Sequence, residues 1–127
     1  KEDRSPKAYG KRLEALVARL KETGAQLIWA TTTPACPDNE TTMKRRFQQD
    51  VRIPSELEQK YLTVALGVMK KNGVQVNDLY AFIKPQWAKY AIADDNVHFK
   101  PEGKKALGKK VADYIAGTLK EAASGKR

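Results

Sequence analysis

The chain has a single histidine, and this is the side chain best suited to proton transfer near neutral pH. His98 follows Asp95 by three positions in the stretch "DDNVHFKPEG". This spacing lets the carboxylate accept a hydrogen bond from one ring nitrogen, which leaves the other nitrogen free to take a proton from a nucleophile. A second interpretation needs no chemistry: Asp95 or Asn96 caps a turn, and His98 makes an ordinary backbone hydrogen bond.

A histidine–aspartate pair needs a hydroxyl or thiol to activate, and the chain offers few candidates. Two of its three serines are explained as helix caps and the third is close to the C-terminus; they are Ser5, Ser55 and Ser124. Cys36 follows a predicted strand and lies between two prolines. A cysteine-based triad with the same histidine and aspartate is therefore an alternative, as is an inert loop thiol.

Three consecutive threonines lie at the carboxyl end of the first predicted strand, in "LIWATTTP". Ligands bind at this edge in open α/β sheets, so Thr32 and Thr33 are candidate substrate contacts. Threonine is also simply a good strand residue. The basic cluster Lys44–Arg46 could meet an anionic substrate or polymer, although a solvated loop is the favoured interpretation.

Composition points to no metal or cofactor. One histidine and one cysteine do not make a zinc site, and neither a calcium loop nor a glycine-rich phosphate loop is present. The net charge of +9 is consistent with a lysine-rich solvated surface or with binding of an anionic polymer, either polysaccharide or nucleic acid. The lysines are not interleaved with aromatic residues, which argues against nucleic acid. No apolar run approaches a membrane span.

Four helices and two strands are predicted. The helices begin at Pro6, at Ser55 with a capping box to Glu58, at "LYAFIKPQWAKY", and at Pro101; the strands are "LIWA" and "VQVND". Residues 35–53 lack periodicity and are predicted to form a loop. The buried face of the last helix is predicted to consist of Leu107, Val111, Tyr114, Ile115 and Leu119.

The alternation of helices and strands predicts a single α/β domain over residues 1–120, followed by a frayed tail over residues 121–127. Two strands have too little surface to cover several amphipathic helices. The pattern is therefore interpreted as the C-terminal half of a larger doubly wound domain.

Three segments together resemble the C-terminal portion of the SGNH/GDSL-type serine hydrolases. They are "AQLIWATTTP", "YLTVALGVMKKNGVQVNDLYAFI" and "DNVHFKPEGKKALGKKVADYI", and the last carries the Asp-x-x-His block. The resemblance implies a flavodoxin-like three-layer doubly wound parallel sheet and an ester hydrolase. It implies that His98 is the general base and Asp95 the acid that orients it. It also makes Trp87 a candidate substrate contact, although core packing explains this residue as well.

The family's Gly-Asp-Ser and Gly-x-Asn-Asp blocks are not found in the chain. The resemblance thus implies that the nucleophilic serine lies in a missing N-terminal segment of the same domain and that the chain alone is inactive. Its implied substrates are small esters or acylated carbohydrates, with no cofactor and no membrane. The compartment is undetermined, and export with a signal peptide outside the chain is compatible with the family. The alternative function is a non-catalytic module that binds an anionic polymer.

Overall fold

The structure, a computed structural model, describes residues 2–125. Six α-helices, two strands and a 3-10 turn follow one another in these residues. They are α1 (Pro6–Lys21), β1 (Ile28–Ala30), α2 (Glu40–Gln48), α3 (Ser55–Lys71), β2 (Gln75–Asn77), α4 (Leu79–Ile83), the 3-10 turn (Lys84–Gln86), α5 (Trp87–Tyr90) and α6 (Pro101–Ala123). The predicted frayed tail reaches residues 126 and 127, which lie outside the described residues, whereas α6 continues to Ala123.

Helices α1 and α3 pack against each other and enclose the first of two apolar cores. Helix α1 begins where its local signals place it, since the Ser5 hydroxyl accepts a hydrogen bond from the Ala8 N–H and Pro6 is the first helical residue. Leu13 and Val17 of α1 are buried against Met69 of α3, which is 1% exposed. This core supports one face of the sheet.

The sheet consists of β1 and β2, which run parallel. Ile28 pairs with Gln75 and Trp29 with Val76, and the Thr31 N–H continues the ladder by donating to the Asn77 carbonyl at 3.1 Å. The alternation of helices and strands predicts that the two strands run parallel, and this pairing is confirmed. Its consequence is that the threonines after β1 and the residues after β2 leave the sheet at the same edge.

The predicted fold class, an α/β flavodoxin-like three-layer doubly wound parallel sheet, is wrong. Helices occupy 62% of the described residues, and the sheet found there has only two strands. A three-layer doubly wound fold needs a wider parallel sheet with helices packed on both of its faces. Part of the error lies in residues 35–53, which hold helix α2. The Asn39 side chain caps this helix by accepting from the Thr42 N–H at 2.9 Å.

The second core joins α4, α5 and the segment before α6. Ile83 is fully buried, and the rings of Trp87 and Phe99 meet edge to face with centroids 5.5 Å apart. The C-terminal half of α6 contributes less than predicted, because Ile115 and Leu119 are 44% and 63% exposed. The core therefore holds the N-terminal end of α6, beside the Asp-x-x-His block.

Gly103 lets the N-terminal end of α6 pack closely against Tyr90. Replacing Gly103 with alanine is expected to lower the free energy of unfolding by about 1–3 kcal/mol. A Cβ at this position would lie 2.8 Å from the Tyr90 Cβ and 2.9 Å from the Tyr90 carbonyl oxygen, and backbone cannot move aside cheaply. The measurement is urea denaturation. Gly108→Ala is the matched control: its Cβ meets open space in the same helix, so stability should rise by about 0.5–1 kcal/mol. Equal effects of the two changes would contradict the packing argument.

Candidate functional site

The Asp-x-x-His block is held by backbone hydrogen bonds. Ala91 and Phe99 form an isolated antiparallel bridge, and the Ile92 N–H donates to the His98 carbonyl at 3.0 Å. The Asn96 side chain accepts a hydrogen bond from the His98 N–H at 2.9 Å, so Asn96 closes the turn in an Asx-type arrangement. These contacts fix the backbone of His98 from both sides.

The two candidate catalytic side chains lie in the same turn but are not joined. His98 is exposed, and its ring has no hydrogen-bond partner among residues 2–125. The Asp95 carboxylate is about one-third exposed and faces Arg45 of α2, with 3.9 Å between Asp95 Oδ2 and Arg45 Nη1. That distance is an ion pair without a hydrogen bond, which contributes little free energy at such exposure. Asp95 therefore has little holding it in its present orientation.

Helix α2 is positioned next to this block by buried polar contacts. Thr42, which is 1% exposed, donates its hydroxyl to the Asp94 carbonyl at 3.2 Å. Arg46 is 6% exposed, and its guanidinium donates to Asp38 Oδ1 at 2.7 Å and to the carbonyls of Ala35 and Cys36, both at 2.9 Å. The sequence pattern gave no sign of this, because a basic cluster in a polar segment is usually solvated.

Asp38 joins the same network from the other side. Burial pushes the pKa of its carboxyl upward, but hydrogen bonds from Ser55 and from Arg46 outweigh burial, and the pKa lies below its ordinary value. The Ser55 N–H donates to Asp38 Oδ2 at 2.7 Å, so this carboxylate also ties the start of α3 to the loop. The predicted capping box between Ser55 and Glu58 is not formed, because α3 begins without a side-chain cap hydrogen bond.

The depressed pKa of Asp38 predicts a pH dependence of stability. A carboxyl with a lower pKa in the folded state stabilises the fold above its unfolded pKa of about 3.9, and this contribution is lost as pH falls through the folded pKa. We expect wild type to be more stable than Asp38→Asn at pH 7 and the difference to shrink below about pH 4. Thermal unfolding of both proteins across this range checks it. A difference that does not vary with pH would rule out the ionised carboxylate as its source.

Cys36 is placed in the second core. Its side chain packs with Ile83 and Trp87, and burial raises the pKa of the thiol, an effect that Arg46 only partly offsets. Its φ of 102° is unusual for a residue with a side chain. A buried thiol with a raised pKa is a poor nucleophile. This environment favours the inert thiol over the cysteine-based triad.

The three candidate substrate contacts lie at two different places. Trp87 is 7% exposed and packs in the second core, so its surroundings fit core packing better than substrate contact. Thr32 and Thr33 line a cavity of about 310 Å³ between α1, α3 and the end of β1. The neighbouring Thr31 is buried instead, donating to Asp78 Oδ1 and accepting from the Tyr80 N–H, both at 2.9 Å.

Two comparisons with known proteins, and two properties of the described residues, bear on identity and class. No protein-family model matches the chain, and comparison with curated proteins finds no match. Within residues 2–125, no group of three or more histidine, cysteine or acidic side chains is arranged to hold a metal ion. The helices of this same part of the chain are also too short or too polar to cross a membrane.

Proposed function

We propose that this chain supplies the acid–base half of an ester-hydrolysing site of the SGNH/GDSL type, with the nucleophilic serine provided from outside the chain. The observation that carries the proposal is the exposed His98 ring, which has no protein partner in the described residues, on a backbone fixed by the Asn96 turn and the Ile92 hydrogen bond. Because the ring is exposed, solvent rather than a protein group meets its two nitrogens. Here both ring nitrogens remain free for a proton donor and an orienting carboxylate.

In the proposed reaction, His98 accepts the proton of the serine hydroxyl as its oxygen attacks the ester carbonyl. The imidazolium then returns this proton to the leaving alcohol, and an acyl-serine remains. Water enters, loses a proton to His98 and attacks the acyl-serine; the proton passes back to the serine oxygen and the acid is released. Asp95 turns from Arg45 to accept a hydrogen bond from the second ring nitrogen, which the loose 3.9 Å ion pair permits.

The test is complementation. The chain is fused to the polypeptide encoded directly upstream of Lys1 and assayed with p-nitrophenyl acetate; the chain alone and the upstream polypeptide alone are the controls. Hydrolysis by the fusion, with both controls inactive, is the expected result. A fluorophosphonate probe should then label a serine of the upstream part. An inactive fusion, or equal activity of the isolated chain, would overturn the proposal.

A second candidate, a module that binds an anionic polysaccharide, is favoured by the surface of α6. Four of its lysines are exposed: Lys104, Lys105, Lys109 and Lys120. The Nζ atoms of three further lysines sit over aromatic rings at 4.9–5.7 Å: Lys84 over Tyr80, Lys89 over Tyr90 and Lys110 over Phe82. Rings already covered by lysine are poor stacking platforms for bases, which favours polysaccharide over nucleic acid.

Heparin chromatography with a salt gradient tests this candidate. The double variant Lys104→Gln, Lys105→Gln is expected to elute at lower salt than Lys7→Gln, Lys11→Gln, which makes the same charge change on α1. Equal elution of the two variants would show that only the net charge matters. Tighter retention on DNA than on heparin would also count against a polysaccharide site.

A further inference from the structure

The cavity beside Thr32 and Thr33 has an unusual lining for so basic a protein. Its volume is about 310 Å³, within the range of small-molecule sites. Aromatic residues from four elements surround it: Tyr9 of α1, Trp29 of β1, Tyr61 of α3 and Tyr80 of α4. The net charge of the chain is +9, yet the one charged side chain among the described residues that line the cavity is Glu58.

The aromatic rings form walls at an angle to each other. Tyr9 and Tyr61 meet edge to face, with centroids 5.2 Å apart and ring planes at 81°. Two nearly perpendicular rings make a corner, and Trp29 adds a further aromatic surface to the lining. One face of the Tyr80 ring is already covered by the Lys84 ammonium group at 5.1 Å. The lining rings without a lysine over them are therefore those of Tyr9, Trp29 and Tyr61, and the edge of one tyrosine ring meets a face of the other.

Glu58 is held in place by the surrounding structure. One carboxylate oxygen accepts a hydrogen bond from the Ala35 N–H, and the other accepts from the Tyr80 hydroxyl at 2.9 Å. The Gln59 side chain in turn donates to the Tyr80 oxygen at 2.6 Å. Each carboxylate oxygen keeps acceptor capacity beyond its one hydrogen bond. The cavity thus combines π faces with a fixed carboxylate.

From this combination we infer that the cavity binds an alkylammonium cation of the trimethylammonium type. The negative faces of aromatic rings attract such a cation, its methyl groups match an apolar wall, and Glu58 balances its charge. A sugar fits less well, because it carries a hydroxyl group on nearly every carbon and the cavity has few polar groups to bind them. A neutral acyl chain would displace water from the Glu58 carboxylate and supply no positive charge in its place, which is unfavourable. The inference goes beyond the proposed function and does not depend on it.

The experiment compares choline with its uncharged isostere, 3,3-dimethyl-1-butanol, by tryptophan fluorescence and by NMR of the ligand methyl protons. Choline is expected to bind saturably and about tenfold more tightly than the isostere. Its methyl resonance should shift upfield in the bound state, because ring currents act on groups that lie over aromatic faces. Sodium chloride at equal concentration controls for ionic strength.

Three variants locate the binding. Glu58→Gln should weaken choline about tenfold and leave the isostere unchanged. Glu56→Gln, the same change on an exposed residue of α3, should leave both unchanged. Tyr61→Leu should weaken choline while Tyr61→Phe, which keeps the ring, should not. Equal binding of choline and isostere, no saturation by about 50 mM choline, or unaltered choline binding by Glu58→Gln would each overturn the inference.

Discussion

In the fusion of the chain with its upstream polypeptide, His98→Ala is expected to lower kcat/KM toward p-nitrophenyl acetate by about 10²- to 10⁴-fold. Alanine cannot take the serine proton, so the attack on the ester carbonyl would have to begin from a neutral hydroxyl. Because the His98 ring is exposed and makes no hydrogen bond within the described residues, its removal should leave the fold unchanged. The loss should therefore appear as a change in rate at an unaltered melting temperature.

Companion variants separate catalysis from general damage. Asp95→Asn should also lower the rate, because an amide cannot stabilise the imidazolium as a carboxylate does. Arg45→Ala removes the competing partner of Asp95 and should not slow the reaction. Arg19→Ala, an exposed change on α1, is the neutral control. If the His98→Ala fusion hydrolyses the ester as fast as the unaltered fusion, His98 is not the general base.

Arg46→Met is expected to lower the free energy of unfolding by about 2–4 kcal/mol. The guanidinium is 6% exposed and is the hydrogen-bond donor to the Ala35 and Cys36 carbonyls and to one oxygen of Asp38. Methionine fills much of the same space but donates no hydrogen bond. Its introduction would leave the Ala35 and Cys36 carbonyls without this donor, and that is where most of the cost arises. Asp38 would lose its ion pair but keep the hydrogen bond from the Ser55 N–H.

Urea denaturation measures this effect, and the neighbouring residue provides the control. Arg45→Met removes the same charge from the same helix, but Arg45 is 39% exposed in its side chain and its ion pair with Asp95 spans 3.9 Å. Its cost should be below about 1 kcal/mol. If the two methionine variants unfold at the same urea concentration, Arg46 does not hold the loop between β1 and α2 as its contacts indicate.

Local signals account for the parts of the fold that were predicted correctly. Ser5 followed by Pro6 predicts the start of α1, and Pro101 predicts the start of α6, because caps and proline act within about one helical turn. The run "LIWA" similarly predicts β1. The fold class depended on how many strands join the sheet and on what covers the helices. No local pattern carries that information, and the prediction failed there.

Long-range partners explain the other differences. Glu58 has the spacing of a capping box with Ser55, yet its oxygens bind Ala35 and Tyr80, more than 20 residues away. Arg46 resembles a solvated basic residue until the loop carbonyls surround it. In both cases the side chain gains stronger hydrogen bonds inside the folded chain than its neighbours in sequence can offer.

The sequence by itself determined which side chains can transfer a proton, since His98 is the single histidine and Asp95 the carboxylate at the required spacing. Only the tertiary structure decided how these groups are presented. It leaves the His98 ring exposed, turns Asp95 toward Arg45 and buries the Cys36 thiol. The physical reason is that burial and ion pairing depend on contacts between distant segments, whereas the spacing of an acid and a base within one turn is a local property.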